Sequence, residues 1–240
     1  MDNMSYNNEK SQCIRSMFDR IAHRYDLLNH ILSACSDILW RRSAVRVLNA
    51  SAGDRLLDLA TGTGDLALEA MKEKQQPSSI IGMDLAERMM RIGQTKMASR
   101  VDFPVRFVGG CAEHLPFQSA VFDGAMVAFG VRNFADINAA LLSIWHALKP
   151  GGRLVVLELS YPRHPIISHL YHFYAKYLMT WIGSIISGDS SAYRYLQVSV
   201  AEFPDREHFR ALMNCAGFVD TGWRDLSLGV ATIYWGDKQP

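Results

Sequence analysis

The sequence predicts an α/β fold: a seven-stranded, mostly parallel sheet with helices on both faces and a closing antiparallel hairpin. Three observations carry the prediction. Apolar runs of strand length alternate with helix-period segments through most of the chain. The first run, Arg55–Leu59, feeds directly into the small, glycine-punctuated turn Ala60-Thr-Gly-Thr-Gly-Asp65. Two strand-like segments, Phe218–Ser227 and Leu228–Trp235, then follow one another with no helix between them.

Length and composition set the bounds. With 240 residues, 49% hydrophobic and 20% charged, the chain suits one large domain with a substantial core. Within it, residues 1–12 are expected as a flexible arm, 13–50 as two N-terminal lid helices, and 161–192 as an apolar helical insertion. A net charge of +1 gives no electrostatic footprint for nucleic acid. Cys13, Cys35, Cys111 and Cys215 are scattered, which suggests neither a zinc site nor a disulfide framework and fits a reducing cytoplasm. The first ten residues lack the pattern of a secretory signal, and no apolar run reaches the roughly 20 residues a membrane span needs.

In order along the chain, Ile14, Met17, Phe18, Ile21, Tyr25 and Leu28 recur at helical spacing, and a second helix runs through Asp37–Leu48. Both are expected to lie across the carboxyl edge of the sheet as a lid; packing on the outside is an equal alternative on pattern alone. Leu56, Leu57 and Leu59 mark a strand buried on both faces. The glycines after it let backbone N–H groups and a helix N-terminus approach a ligand, while the same turn without a ligand is the plainer reading. The spacing departs from the G-x-G-x-x-G of dinucleotide enzymes. A crossover helix, Leu66–Lys74, leads to the second strand, Ile80–Asp84. Asp84, about twenty residues beyond the glycines, is placed to accept both hydroxyls of an adenosine ribose, a role compatible with capping the next helix, Leu85–Arg100.

The third strand, Val105–Val108, opens into Gly109-Gly-Cys-Ala-Glu-His-Leu-Pro-Phe117, a loop expected to face an adenine. The fourth, Phe122–Phe129, ends in Gly130-Val-Arg-Asn133, where polar groups appear abruptly at the edge that carries ligands in open α/β sheets. Asn133 as cap of the helix Phe134–Leu148 is an equally weighted alternative. Lys149-Pro-Gly-Gly152 stops that helix before the fifth strand, Arg153–Ser160. An aromatic stripe, Ile167 through Ile185, follows, and then the helix that begins after Pro204 with Asp205 near its start and Gly217 just past its end.

The motifs D-L-A-T-G-T-G-D (Asp58–Asp65), G-M-D (Gly82–Asp84), A-E-H-L-P-F (Ala112–Phe117), F-G-V-R-N (Phe129–Asn133) and L-K-P-G-G (Leu148–Gly152) resemble those of class I S-adenosylmethionine-dependent methyltransferases. Within that group, M-F-D-R-I-A-H-R-Y-D (Met17–Asp26), F-G-V-R-N, L-E-L-S (Leu157–Ser160) and Y-R-Y-L-Q-V-S-V-A-E-F-P (Tyr193–Pro204) are similar to the menaquinone/ubiquinone biosynthesis C-methyltransferases, the demethylmenaquinone methyltransferase family. The similarity covers nearly the whole chain beyond the N-terminal arm.

The resemblance implies a Rossmann-like fold and S-adenosyl-L-methionine as cofactor. Gly62 and Thr63 would contact its amino-acid end, Asp84 its ribose, and Cys111 with Ala112 its adenine. Cys111 departs from the family's usual Asp or Asn, and a thiol is a poor acceptor for the adenine amino group. Ala128 stands where serine is common, Cys35 where glycine is usual, and Tyr234 where histidine is usual. The implied substrate is a prenylated quinol, demethylmenaquinol foremost, with a benzoquinol or another small molecule as alternative acceptors. A non-catalytic cofactor-binding protein is the alternative of another class. Arg132 and Asn133 are the catalytic candidates as anion stabilisers, with Tyr25 on the lid helix completing the network. His23, His114 and His172 read more readily as surface or packing residues, and His169 with His172 lacks further ligands, so no metal site is expected. A cytoplasmic protein is expected, with peripheral contact at the inner face of the membrane through the segment Ile166–Ile186, which would also take the prenyl tail. A homodimer is compatible with the chain.

Overall fold

The computed structural model describes residues 2–98, 104–173 and 190–240. Among them, seven strands form one sheet in the order β3-β2-β1-β4-β5-β7-β6. The strands are β1 (Arg55–Leu59), β2 (Ser79–Asp84), β3 (Val105–Gly109), β4 (Phe122–Ala128), β5 (Leu148–Leu159), β6 (Phe218–Leu226) and β7 (Ala231–Lys238). β1 lies centrally, with Leu57 paired in parallel to Ile81 on one side and Ala125 on the other. β7 runs antiparallel between β5 and β6 and closes the sheet as a hairpin. The strand order reverses between β1 and β4, and that switch point is where an open α/β sheet leaves a crevice at its carboxyl edge.

The period-two alternation of the strands divides the core. Leu57, Leu59, Ala125, Val127, Leu154 and Val156 face α5 (Ile137–Ala147) and α8 (Arg206–Cys215). Leu56, Met126, Val155 and Leu157 face α2 (Ser36–Leu48) and α3 (Asp65–Ala70), with Met97 of α4 (Glu87–Ala98) on the same side. Each of these strand residues therefore buries its side chain against a helix on one face or the other, which is why the central strands read as continuous apolar runs.

α1 (Asp2–Leu32) is helical from Asp2, so the stretch expected as an arm, 1–12, carries helical backbone. Of the two helices expected as a lid, α1 crosses the carboxyl edge. α2 instead covers a sheet face: Trp40, Ala44, Val45 and Leu48 are all buried in the core. Its apolar stripe is wide enough to require a sheet beneath it, and only its first turn reaches the edge. The chain between α1 and α2 turns through Ala34 (φ 49) and Cys35 (φ 61), two left-handed residues.

Several boundaries moved. α3 stops at Ala70 and not Lys74. α5 starts at Ile137, because Asp136 is its cap and accepts from the Ala139 N–H at 3.0 Å. Asn133 sits before it in a 3-10 turn, Val131–Asn133, and is not the cap. β5 begins at Leu148, since the Lys149–Gly152 segment is taken up in an irregularity between the Phe122/Leu148 and Gly124/Arg153 pairs. Asp205 caps α8 as expected, accepting from the His208 N–H at 3.0 Å. Of the aromatic insertion, α6 (Pro165–Phe173) is described, and α7 (Ser190–Glu202) follows; residues 174–189, with Tyr174, Tyr177, Trp181 and Ile185, lie outside the described residues. No described helix is long and apolar enough to cross a membrane.

Candidate active site

The carboxyl ends of β1 and β4 meet under strain. Ala60 (φ 49) and Phe129 (φ 59) are both left-handed without being glycine, a backbone state that persists at sites where the surroundings impose it. Gly130 is required between them: a Cβ there would lie 2.4 Å from the Ala60 Cβ. Gly62 (φ 54) continues the left-handed turn into α3, with open space on its Cβ side out to the Met89 methyl at 3.7 Å. That space belongs to a cleft lined by Ala60, Gly62, Asp84, Cys111, Ala112 and Phe129, with Tyr25 and Phe18 of α1 above it.

Asp84 stands at the end of β2, with one carboxylate oxygen accepting from the Gly62 N–H and the other from the Ala86 N–H, both at 2.8 Å. Burial raises its pKa, and the Ala86, Gly62 and Leu85 N–H groups oppose that rise. A carboxylate has about four acceptor sites, so the side chain that shapes the turn retains acceptor capacity for a further donor. Below it, Asp58 is 1% exposed and accepts from the Thr61 hydroxyl at 2.6 Å. Burial pushes Asp58 up to about 7, and the neighbouring Asp84 adds to the shift.

The Thr63 side chain is engaged by its neighbours. Its hydroxyl is turned to α1 and donates to Asp26 at 2.6 Å, while the Lys96 ammonium donates to it at 3.0 Å. Lys96 also pairs with Asp26 and, at 2.8 Å, with Asp65. Thr63 therefore fastens the lid helix to the glycine turn. Cys111 and Ala112 do line the cleft, and burial, with Glu113 nearby, raises the Cys111 thiol's pKa.

A second cavity, about 380 Å³, adjoins the cleft and shares Phe18, Tyr25 and Phe129 with it. Its walls are largely apolar, including Met17, Ile21, Leu28, Trp40 and Leu196. Arg132 projects into it from the turn after β4. The guanidinium Nη1 donates to Glu158 Oε1 at 2.5 Å and to the Phe129 carbonyl at 2.6 Å, while its buried Nε meets no hydrogen-bond partner among the described residues. Burial alone would lower the Arg132 pKa, but Glu158, Tyr25 and Tyr195 outweigh it and the shift is upward. Asn133 accepts from the Tyr195 hydroxyl at 3.0 Å and lines the first cleft. Burial raises the Tyr25 pKa, more than Arg132 and Asn29 lower it, so the phenol remains a donor at neutral pH. Tyr25, Arg132 and Asn133 thus converge where the two spaces join.

Sequence reasoning missed Glu158, Tyr195 and Asn29. Glu158, 1% exposed, was the most legible of these: one carboxylate in the apolar strand Leu154–Leu159 requires a cationic partner. His23, His114 and His169 are exposed and line neither cavity. Among the described residues no His, Cys, Asp and Glu cluster is arranged to hold a metal ion.

The family model described as "ubiE/COQ5 methyltransferase family" matches residues 4–238. The chain is 43% identical to the "Ubiquinone/menaquinone biosynthesis C-methyltransferase UbiE" of Geotalea daltonii, covering 96% of this chain and 98% of that one. It is 45% identical to the "Demethylmenaquinone methyltransferase" of Thermus thermophilus, over 92% and 100% of the two chains. The fold matches that of an S-adenosylmethionine-dependent methyltransferase of Thermotoga maritima with a TM-score of 0.65 at 21% identity, covering 93% and 99%. It also matches a Haemonchus contortus phosphoethanolamine N-methyltransferase solved with S-adenosylhomocysteine, with a TM-score of 0.60 at 14% identity, covering 80% and 50%. Taken with the glycine turn, Asp84 and the cleft between them, these matches place the chain in the ubiE/COQ5 methyltransferase family, as an enzyme that uses S-adenosylmethionine.

Proposed function

We propose that this enzyme methylates a ring carbon of a prenylated quinol, demethylmenaquinol foremost, and that the apolar cavity beyond Phe129 receives the quinol. The observation that carries this reading is the junction: a cavity of about 380 Å³ opens onto the cofactor cleft at Tyr25 and Phe129, with the unpartnered Nε of Arg132 buried beside it. The relatives' names, demethylmenaquinone methyltransferase and ubiquinone/menaquinone biosynthesis C-methyltransferase, point to the same substrate class.

Gly62 and the backbone at Thr63 hold the amino-acid end of the cofactor, Asp84 the ribose, and Ala112 with Cys111 the adenine. When bound there, S-adenosylmethionine would supply an activated, sulfonium-bound methyl group to the ring carbon. The protein's task is alignment and charge. A quinol hydroxyl that gives its proton to water makes the adjacent ring carbon nucleophilic, and Arg132, permanently cationic, stabilises the oxyanion. Glu158 and the Phe129 carbonyl fix the guanidinium through Nη1, which leaves Nε without a partner among the described residues. Asn133, fixed by Tyr195, and the Tyr25 phenol add donors at the junction. After transfer, the ring carbon's proton departs to water and aromaticity returns.

The prenyl tail runs toward α6, whose Tyr171 lines the cavity. Ile166 on that helix is 67% exposed and is the described end of the proposed peripheral membrane contact; Ile166→Ser weakens binding to anionic vesicles if this face meets lipid. The decisive experiment feeds the purified enzyme labelled S-adenosylmethionine with short-tailed demethylmenaquinol and, separately, the demethylated benzoquinol, and identifies the product. Label in neither ring overturns the proposal.

A further inference from the structure

α1 walls the cofactor cleft and the apolar cavity alike: Ile14 and Arg15 line the first, Ile21 and Leu28 the second, and Phe18 with Tyr25 both. Beneath it the cleft measures about 80 Å³, well short of the roughly 300–1,000 Å³ of a usual ligand site, so its walls must part to admit a cofactor. α1 is the wall placed to move. None of its residues belongs to the two large apolar clusters that hold the other helices to the sheet; it rests on α4 through a small cluster around Ala22, Ala86 and Met89. Its carboxyl end leads through the left-handed pair Ala34 and Cys35 into α2, which is packed in the core.

A polar cluster fastens the helix at the cleft. The Asp26 carboxylate on α1 accepts from the Thr63 hydroxyl at 2.6 Å and pairs with the Lys96 ammonium, which also reaches Thr63 at 3.0 Å and Asp65 at 2.8 Å. The lid helix, the glycine turn and α4 therefore meet at one point, on residues next in sequence to Tyr25 and Gly62, both of which line the cleft. Asp19 adds a second hold by accepting from the Arg88 N–H at 3.0 Å, so loosening Asp26 leaves the helix seated at another contact. The Asp26 and Lys96 side chains are 25% and 27% exposed, wet enough for the pair to be screened by salt and to break reversibly.

We infer that Asp26 is a positioning residue whose latch on Thr63 and Lys96 holds α1 closed over S-adenosylmethionine, and that opening this latch admits and releases the cofactor. This rests on the assignment of the cleft to S-adenosylmethionine and is independent of which acceptor fills the apolar cavity. A latch and a direct contact differ in kinetics. Removing a direct contact speeds dissociation and weakens affinity by the same factor. Loosening a lid speeds entry as well as exit, because the closed form obstructs both.

Asp26→Ala and Lys96→Met loosen the latch from its two sides. Association and dissociation rate constants of S-adenosylmethionine are read by stopped flow at low and high salt, with a melting curve to show that each variant is folded at the assay temperature. In both variants the two rate constants rise together by about tenfold, and Kd moves less than about threefold. High salt raises both constants in the wild type and moves them little in Asp26→Ala, and the double variant is no faster than the faster single one. Unchanged rate constants, or faster dissociation with unchanged association, in either variant overturns the latch. Asp84→Asn tests the placement of the cofactor separately. If its affinity for S-adenosylmethionine is unchanged, the cleft does not hold the ribose and both readings fall; weakened affinity there, beside unaltered rates in Asp26→Ala, overturns the latch alone.

Discussion

Replacing Arg132 tests the catalytic assignment most sharply, provided its structural part is separated. The guanidinium donates to Glu158 Oε1 at 2.5 Å, and Glu158 is 1% exposed. Arg132→Ala leaves that carboxylate buried with only the N–H groups of Leu159, at 2.9 Å, and Arg132, at 3.3 Å. Breaking a buried pair from one side costs about 3–5 kcal/mol, which for a chain of this length lowers Tm by roughly 6–20 °C. The alanine variant alone therefore confuses folding with catalysis. Arg132→Lys keeps a cation for Glu158 but loses the Nε donor and the planar fork. If Nε stabilises the oxyanion, kcat in the lysine variant falls by about 10²–10³, the usual loss for one preorganised donor. Cofactor affinity stays within about twofold, because Arg132 does not line the first cleft, and a transition-state contact should move kcat and kcat/KM together. Initial rates with labelled cofactor, calorimetric cofactor binding and a melting curve supply the three readings. A lysine variant with near wild-type kcat would refute the assignment, and a fall in kcat matched by lost cofactor affinity would reduce Arg132 to a structural part.

Three more outcomes follow from the site and its approaches. Asp84→Asn weakens S-adenosylmethionine binding by about one to two orders of magnitude, since hydrogen bonds to a charged acceptor contribute roughly 1.5–3 kcal/mol; titration calorimetry within about threefold of wild type would contradict the ribose role. Asp58, raised from 3.8 to about 7 by burial, binds a proton in the folded state that the unfolded chain has already released, so its contribution falls as pH rises from the ordinary carboxylate range to about 7. Going from pH 5 to pH 8, Asp58→Asn should gain roughly 3 kcal/mol relative to wild type by denaturant unfolding, and an unchanged difference would show that Asp58 is ionised throughout. Cys35→Gly relieves the left-handed φ of 61 and should stabilise by about 1 kcal/mol, or roughly 2–4 °C in Tm; a lower Tm would place the cost of the α1–α2 turn elsewhere.

The sequence by itself determined the sheet and the edge on which the candidate site lies. Leu56, Leu57 and Leu59 identified a strand covered on both faces, the left-handed glycine turn followed it, and Asp84 marked the end of the next strand. Each of these is a local pattern whose meaning survives without knowing what lies opposite. Phe129–Asn133 was legible for the same reason, as an abrupt change from apolar to polar at a strand's end. What only the tertiary structure decided depends on elements that cross. α2 reads as an amphipathic helix in isolation, and its stripe says that something covers it without saying that the cover is the sheet. The Thr63 hydroxyl donates to Asp26 of α1, a partner 37 residues away that no local pattern names. Tyr195 reaches Asn133 across 62 residues of chain, and Glu158 reaches Arg132 across 26.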